Sequence, residues 1–130
     1  GNKVAAFTYN DDCDYGPPFV VHWYEFLNGT WVRQGQIAEY DIGMCLEMSG
    51  SGERIILGNN DLYGYSVVFL WDKYRKEWLQ LGNLIRNRDG NSYESYGEYP
   101  AISGDGNRVA AGDPLGKYPT DNWDGDWDMV

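Results

Sequence analysis

The chain repeats itself, and a period near fifty residues restricts it to folds built by stacking copies of one small unit. Ser103 to Gly112 (Ser-Gly-Asp-Gly-Asn-Arg-Val-Ala-Ala-Gly) aligns without a gap on Ser49 to Gly58 (Ser-Gly-Ser-Gly-Glu-Arg-Ile-Ile-Leu-Gly), a shift of 54 residues from 49 to 103. Gly1 to Ala6 aligns on Gly52 to Leu57 at a shift of 51, so residue 1 falls inside a repeat. A second block agrees independently. Val20-Val21 followed by Trp31 and Gly35 matches Val67-Val68 followed by Trp78 and Gly82, a shift of 47 from 31 to 78.

Each repeat divides into four short apolar runs separated by turn signals. In the middle copy the expected strands are Gly43 to Met48, Arg54 to Leu57, Ser66 to Asp72 and Glu77 to Leu81. Ser49-Gly50-Ser51-Gly52 and Ser103-Gly104-Asp105-Gly106 read as tight hairpins, with Gly supplying positive φ and Ser or Asp bonding the local backbone. Leu27-Asn28-Gly29-Thr30 and Lys73-Tyr74-Arg75-Lys76 read as solvated tips between third and fourth strands, and Asn28-Gly29 suits a type I′ turn. The second strands, Val4-Ala5-Ala6, Ile55-Ile56-Leu57 and Val109-Ala110-Ala111, are continuously apolar, as expected where both sheet faces are covered. Trp31 and Trp78 recur on the fourth strands, and both are expected in the core.

Composition supports an all-β chain. Seventeen Gly and an aromatic share of 16% suit short strands and tight turns, and no window places apolar residues at helical spacing over three turns. Four strands per repeat is the strand count of one β-propeller blade, so the expected architecture is about two and a half four-stranded blades of an incomplete ring. The units are a partial blade over 1–40, a full blade over 41–87 and a partial blade over 88–130. Propellers close with about four to eight blades. The remaining blades are therefore expected in the same longer chain, with other subunits as the alternative.

The order of the motifs resembles the shortened FG-GAP type of propeller repeat. The aromatic-glycine step falls at Tyr96-Gly97 and, altered, at Ile42-Gly43, and the glycine-alanine-proline step at Gly112-Asp113-Pro114 and Gly58-Asn59-Asn60. An aromatic-rich strand follows at Val67 to Trp71, and the ending is Trp31 to Gly35 or Trp78 to Gly82. The resemblance implies a cell-surface or adhesion-like protein. Longer versions of that repeat carry a calcium loop between the first two strands, but here the turn offers only Ser51 or Asp105, so that site is not carried over.

A net charge of −10 opposes nucleic acid and anionic lipid as partners. No apolar run reaches the roughly 18 to 20 residues of a spanning helix, so this segment is not expected to insert into a membrane. Cys13 and Cys45 form one disulfide in an oxidising compartment or stay as two thiols in a reducing one. Asn28-Gly29-Thr30 is also an N-glycosylation acceptor, which acts only in a secreted chain.

Catalytic chemistry finds little support. His22 is the single histidine and aligns with Phe69, which suits packing better than proton transfer. Ser49 and Ser103 belong to repeated turns, and Glu47 and Glu98 stand in different registers, which denies a paired carboxylate site. Asp121, Asp124, Asp126 and Asp128 crowd an acidic loop around Gly125. That loop reads as a solvated face, with calcium as the one cofactor it would suit, although its spacing departs from an EF-hand. Tyr63, Tyr65, Trp123 and Trp127 are candidates for stacking on sugar rings, with packing between blades as the competing role. The expected function is noncatalytic, in extracellular structure, adhesion or protein interaction. A carbohydrate-binding propeller module is the alternative.

Overall fold

The computed structural model of the chain describes residues 1–9, 19–39, 45–59, 64–86 and 99–112, and among these the regular structure is entirely β. The strands are β1 (Lys3–Tyr9), β2 (Phe19–Leu27), β3 (Thr30–Glu39), β4 (Cys45–Met48), β5 (Arg54–Asn59), β6 (Tyr65–Asp72), β7 (Glu77–Gln80), β8 (Ile85–Arg86), β9 (Ala101–Ile102) and β10 (Val109–Ala110). All the pairings are antiparallel and form three sheets: β1-β2-β3, β4-β5-β6-β7 with β8 on β6, and β9-β10. The strands expected in the middle repeat are present within a few residues of their expected ends.

Turn chemistry explains why the repeats fold alike. Asn28 and Gly29 take φ of 49° and 82°, which is the left-handed pair that a two-residue hairpin needs between twisted strands. In the middle hairpin the Gly52 amide donates to the Ser49 carbonyl at 2.9 Å, and the Arg54 amide donates to Ser49 Oγ at 3.2 Å. The later copy repeats both bonds. Gly106 donates to the Ser103 carbonyl at 2.8 Å and the Arg108 amide to Ser103 Oγ at 3.0 Å. Gly52 and Gly106 have φ of 71° and 74°, so glycine is required at the same place in each.

The outer strands show the same register written in two ways. Trp23 pairs with Gly35 and Tyr24 with Arg33, which leaves Gln34 as an extra residue and makes a β-bulge in β3. At the matching place the middle sheet breaks instead. β7 ends at Gln80, Gly82 takes φ of 77°, and the chain rejoins β6 as β8 opposite Tyr65 and Ser66.

The core lies between the first and middle sheets. Side chains alternate across a strand, so Val21 and Trp23 of β2 share a face with Ile37 of β3. This face meets Ile55, Leu57, Val67, Phe69 and Trp78 of the middle sheet in one apolar cluster. Trp23 lies edge-on to Trp78 at 5.4 Å between ring centres and tilts over Trp71 at 4.6 Å, geometries that aromatic quadrupoles favour. Ile55, Ile56 and Leu57 each have 0% exposure, so the middle second strand is covered on both faces as its composition indicates. At about 25 cal/mol per Å² of apolar surface, each such side chain contributes on the order of 2 kcal/mol.

One expectation about the core is corrected. Trp78 retains 9% exposure, but Trp31, its repeat counterpart, is 47% exposed and packs beside Phe26 on the outer side of the first sheet. The cause is positional. The first sheet stands in front of Trp78, whereas no described residue covers the face that carries Trp31. The flanking second strands follow the same rule, with Val4 and Val109 exposed where Ile55 is enclosed.

Candidate interaction surface

Most residues singled out for ligand chemistry lie outside the described residues: Asp121, Asp124, Asp126, Asp128, Trp123, Trp127, Tyr63 and Cys13. Among the described residues, no three His, Cys, Asp or Glu side chains gather as a metal group would. Tyr65 is half-buried, packs against the core cluster and carries the Arg86 guanidinium 5.6 Å above its ring centre. Cys45 is half-buried on β4, and Asn28 is exposed at a hairpin tip. His22 Nε2 lies 3.1 Å from Thr8 Oγ1 on the adjacent strand, and its ring tilts against Tyr24 at 6.5 Å between centres.

What the chain does bring together is a surface. Strand alternation and the register of β1, β2 and β3 place Val4, Ala6, His22, Tyr24, Phe26 and Trp31 on the side of the first sheet away from the core. Val4, Phe26 and Trp31 are large, apolar and exposed there. Phe26 and Trp31 are directly paired across β2 and β3, with ring centres 5.1 Å apart. Neighbouring exposed apolar side chains are candidates for contact with another surface.

A second set of contacts links neighbouring sheets at their turns. Lys3, on the first sheet, donates from Nζ to the Ser51 carbonyl of the middle turn at 2.8 Å. Its aliphatic stem fills the space beside Gly52, where a Cβ would fall 2.5 Å from Lys3 Cδ. Arg54, on the middle sheet, reaches in the same way to the third turn, donating from Nη1 to the Gly106 carbonyl at 2.8 Å and to Asn107 Oδ1 at 2.6 Å. The Gly50 amide donates to the Gly104 carbonyl at 2.8 Å, and Glu47 Oε2 accepts from the Ile102 amide at 3.2 Å.

Lys3, Arg54 and Arg108 occupy one column of the aligned repeats, at the start of each second strand. In the sequence these residues align without a visible role, because a cation beside a Gly turn reads as a solvated edge. Three basic residues in one column was the available signal.

No protein-family model matches the chain, and no curated protein or solved structure matches it either.

Proposed function

We propose that this chain is a noncatalytic β-propeller segment of an extracellular or cell-surface protein, with a structural, adhesion or protein-interaction role inside a larger propeller or assembly. The observation that carries this reading is the bare outer face of the first sheet. Its residues Val4, Ala6, His22, Tyr24 and Trp31 align with Ile55, Leu57, Phe69, Trp71 and Trp78, the residues that the middle sheet turns toward its neighbour. A face with that ancestry is built to be covered by another sheet. The repeated Ser-Gly turns support the same reading, since Lys3 and Arg54 of one basic column tie the first sheet to the middle turn and the middle sheet to the third.

Hydroxyl-radical footprinting tests it by comparing the isolated 130-residue chain with the protein as its source makes it. Val4, Phe26 and Trp31 are expected to label strongly in the isolated chain and to be protected in the native protein. Equal labelling of Trp31 in both would sink the assembly reading. Glycan binding lost on Trp123→Ala and Trp127→Ala would replace it with the carbohydrate-binding alternative.

A further inference from the structure

We propose that Asn28 carries an N-linked glycan whose first sugar stacks on the exposed ring of Phe26. The inference rests on the extracellular reading above, which gives the chain access to glycan transfer, and it adds a modification site together with the surface that receives the sugar.

The repeat accounts for two of the three large apolar residues on the bare face and not for the third. Val4 and Trp31 stand in the columns of Ile55 and Trp78, which are buried in the middle sheet. Phe26 stands in the column of Lys73, at a shift of 47 from 26 to 73. The middle sheet shows what a covering sheet leaves out: Trp78 is buried against the first sheet, while Lys73, Tyr74 and Arg75 at the neighbouring tip stay exposed. A sheet laid on the first one in the same way would enclose Trp31 and leave Phe26, at 45% exposure, in water. Whatever covers Phe26 is not part of the repeating contact.

The tip itself supplies a cover. Phe26-Leu27-Asn28-Gly29-Thr30 places an N-glycosylation acceptor two residues after the ring, and in the aligned tip Lys73, Arg75 and Glu77 take the places of Phe26, Asn28 and Thr30. The ring in that column and the acceptor occur together in one tip, and neither occurs in the other. Asn28 and Thr30 are exposed, and a Cβ added to Gly29 between them meets nothing within 4 Å, so the tip has room for a bulky substituent. Two residues of chain span at most about 7 Å, which puts a sugar on the Asn28 side chain within reach of Phe26. The ring is already held in place. The Phe26 amide donates to the Asn2 carbonyl at 2.8 Å, and Trp31 lies against the ring at 5.1 Å between centres. One face of a pyranose presents mainly C–H groups, so stacking it on Phe26 removes apolar surface from water on both partners while the sugar hydroxyls stay solvated.

The chain acts only as acceptor, and a transferase supplies an oligosaccharide carried on a lipid diphosphate. The bond between the anomeric carbon and the diphosphate oxygen breaks, and the lipid diphosphate leaves with its electron pair. Asn28 Nδ2 bonds to that carbon and gives up one proton to the medium. Nothing is oxidised or reduced.

Glycopeptide mass spectrometry of the protein as its source makes it, joined to hydroxyl-radical footprinting before and after enzymatic removal of the glycan, tests this. A glycan is expected on Asn28, and labelling of Phe26 is expected to rise severalfold on its removal. Thr30→Ala destroys the acceptor without touching Asn28, so this variant should label at Phe26 like the stripped protein. Val4 and Trp31 report separately on the covering sheet, and their labelling should not change when the glycan is removed. An unmodified Asn28 in the native protein would overturn the proposal, even with Val4 and Trp31 protected. A glycan whose removal leaves Phe26 labelling unchanged would overturn it as well. Strong labelling of Trp31 beside a glycan-protected Phe26 would remove the assembly reading and uphold the glycan contact.

Discussion

A Cβ added to Gly35 would lie 2.6 Å from Cζ3 of Trp71, so the first sheet meets the middle one only because β3 has no side chain there. Trp71 has no simple retreat, since Trp23 and Trp78 lie against it at 4.6 and 5.5 Å between ring centres. Gly35→Ala is expected to destabilise the chain by about 1 to 3 kcal/mol, the usual cost of overfilling a packed core. Urea unfolding followed by tryptophan fluorescence measures it. The control is Gly82→Ala, at the matching place in the repeat, where a Cβ meets nothing within 4 Å and φ of 77° is the only obstacle. That strain costs about 1 kcal/mol and should leave the native emission unchanged. Equal spectral changes in both variants would contradict the packing account.

Arg54 joins its own turn to the next through its bonds to Gly106 and Asn107, which lie 52 and 53 residues away in sequence. Arg54→Met keeps most of the stem and removes the guanidinium. Because these bonds are partly exposed, the loss should be about 1 kcal/mol, below the 1.5 to 3 kcal/mol of an enclosed charged bond. Amide exchange at Gly50 should accelerate with it, since its bond to the Gly104 carbonyl depends on the same docking. A double-mutant cycle with Asn107→Ala isolates the side-chain pair, and zero coupling would show that Asn107 only passes nearby.

The middle repeat was legible because each of its signals is local. Ser49 and Gly52 set a hairpin, Ile55 to Leu57 are apolar without interruption, and Lys73 to Lys76 mark the next turn. Trp31 was misread for a reason no local signal contains. It has the same residue type and column as Trp78, but burial is a property of whatever stands opposite, and for Trp31 that is not another sheet of the described chain. The break at Gly82 was hidden as well, since Gly35 in the same column produces a bulge and an unbroken strand. The basic column of Lys3, Arg54 and Arg108 is visible in sequence but its role is not, because the value of a cation there depends on a carbonyl some fifty residues away. The acidic loop at Asp121 to Asp128 lies outside the described residues, so the structure adds nothing to that candidate.

Asp72 gives a pH-dependent turn. Its Oδ1 accepts from the amides of Arg75 at 3.0 Å and Tyr74 at 2.9 Å, and these bonds, the Arg75 one foremost, hold its carboxyl below the ordinary 3.8. A carboxylate with a depressed folded value stabilises the native turn above its unfolded value and loses that contribution as pH falls through the folded one. Acidification from pH 5 should leave the turn intact until below 3.8, then release the Tyr74 and Arg75 amides. Their exchange rates across that range measure it. Asp72→Asn keeps an acceptor without a titrating charge, so its profile should be flat. A Tyr74 amide that opened at the same pH in both proteins would assign the transition elsewhere.

Trp78 and Trp31 test the difference between a shared column and a shared environment. Trp78→Ala removes an enclosed ring that touches Trp23 and Trp71 from two sheets, and should cost about 3 to 5 kcal/mol. Trp31→Ala removes a ring that is half in water and touches Phe26, and at concentrations where the chain is monomeric it should cost about 1 kcal/mol or less. Chemical unfolding of both variants, followed by the fluorescence of the remaining tryptophans, measures the two losses. Equal losses would mean that the column in the repeat, and not what stands opposite the ring, sets its contribution.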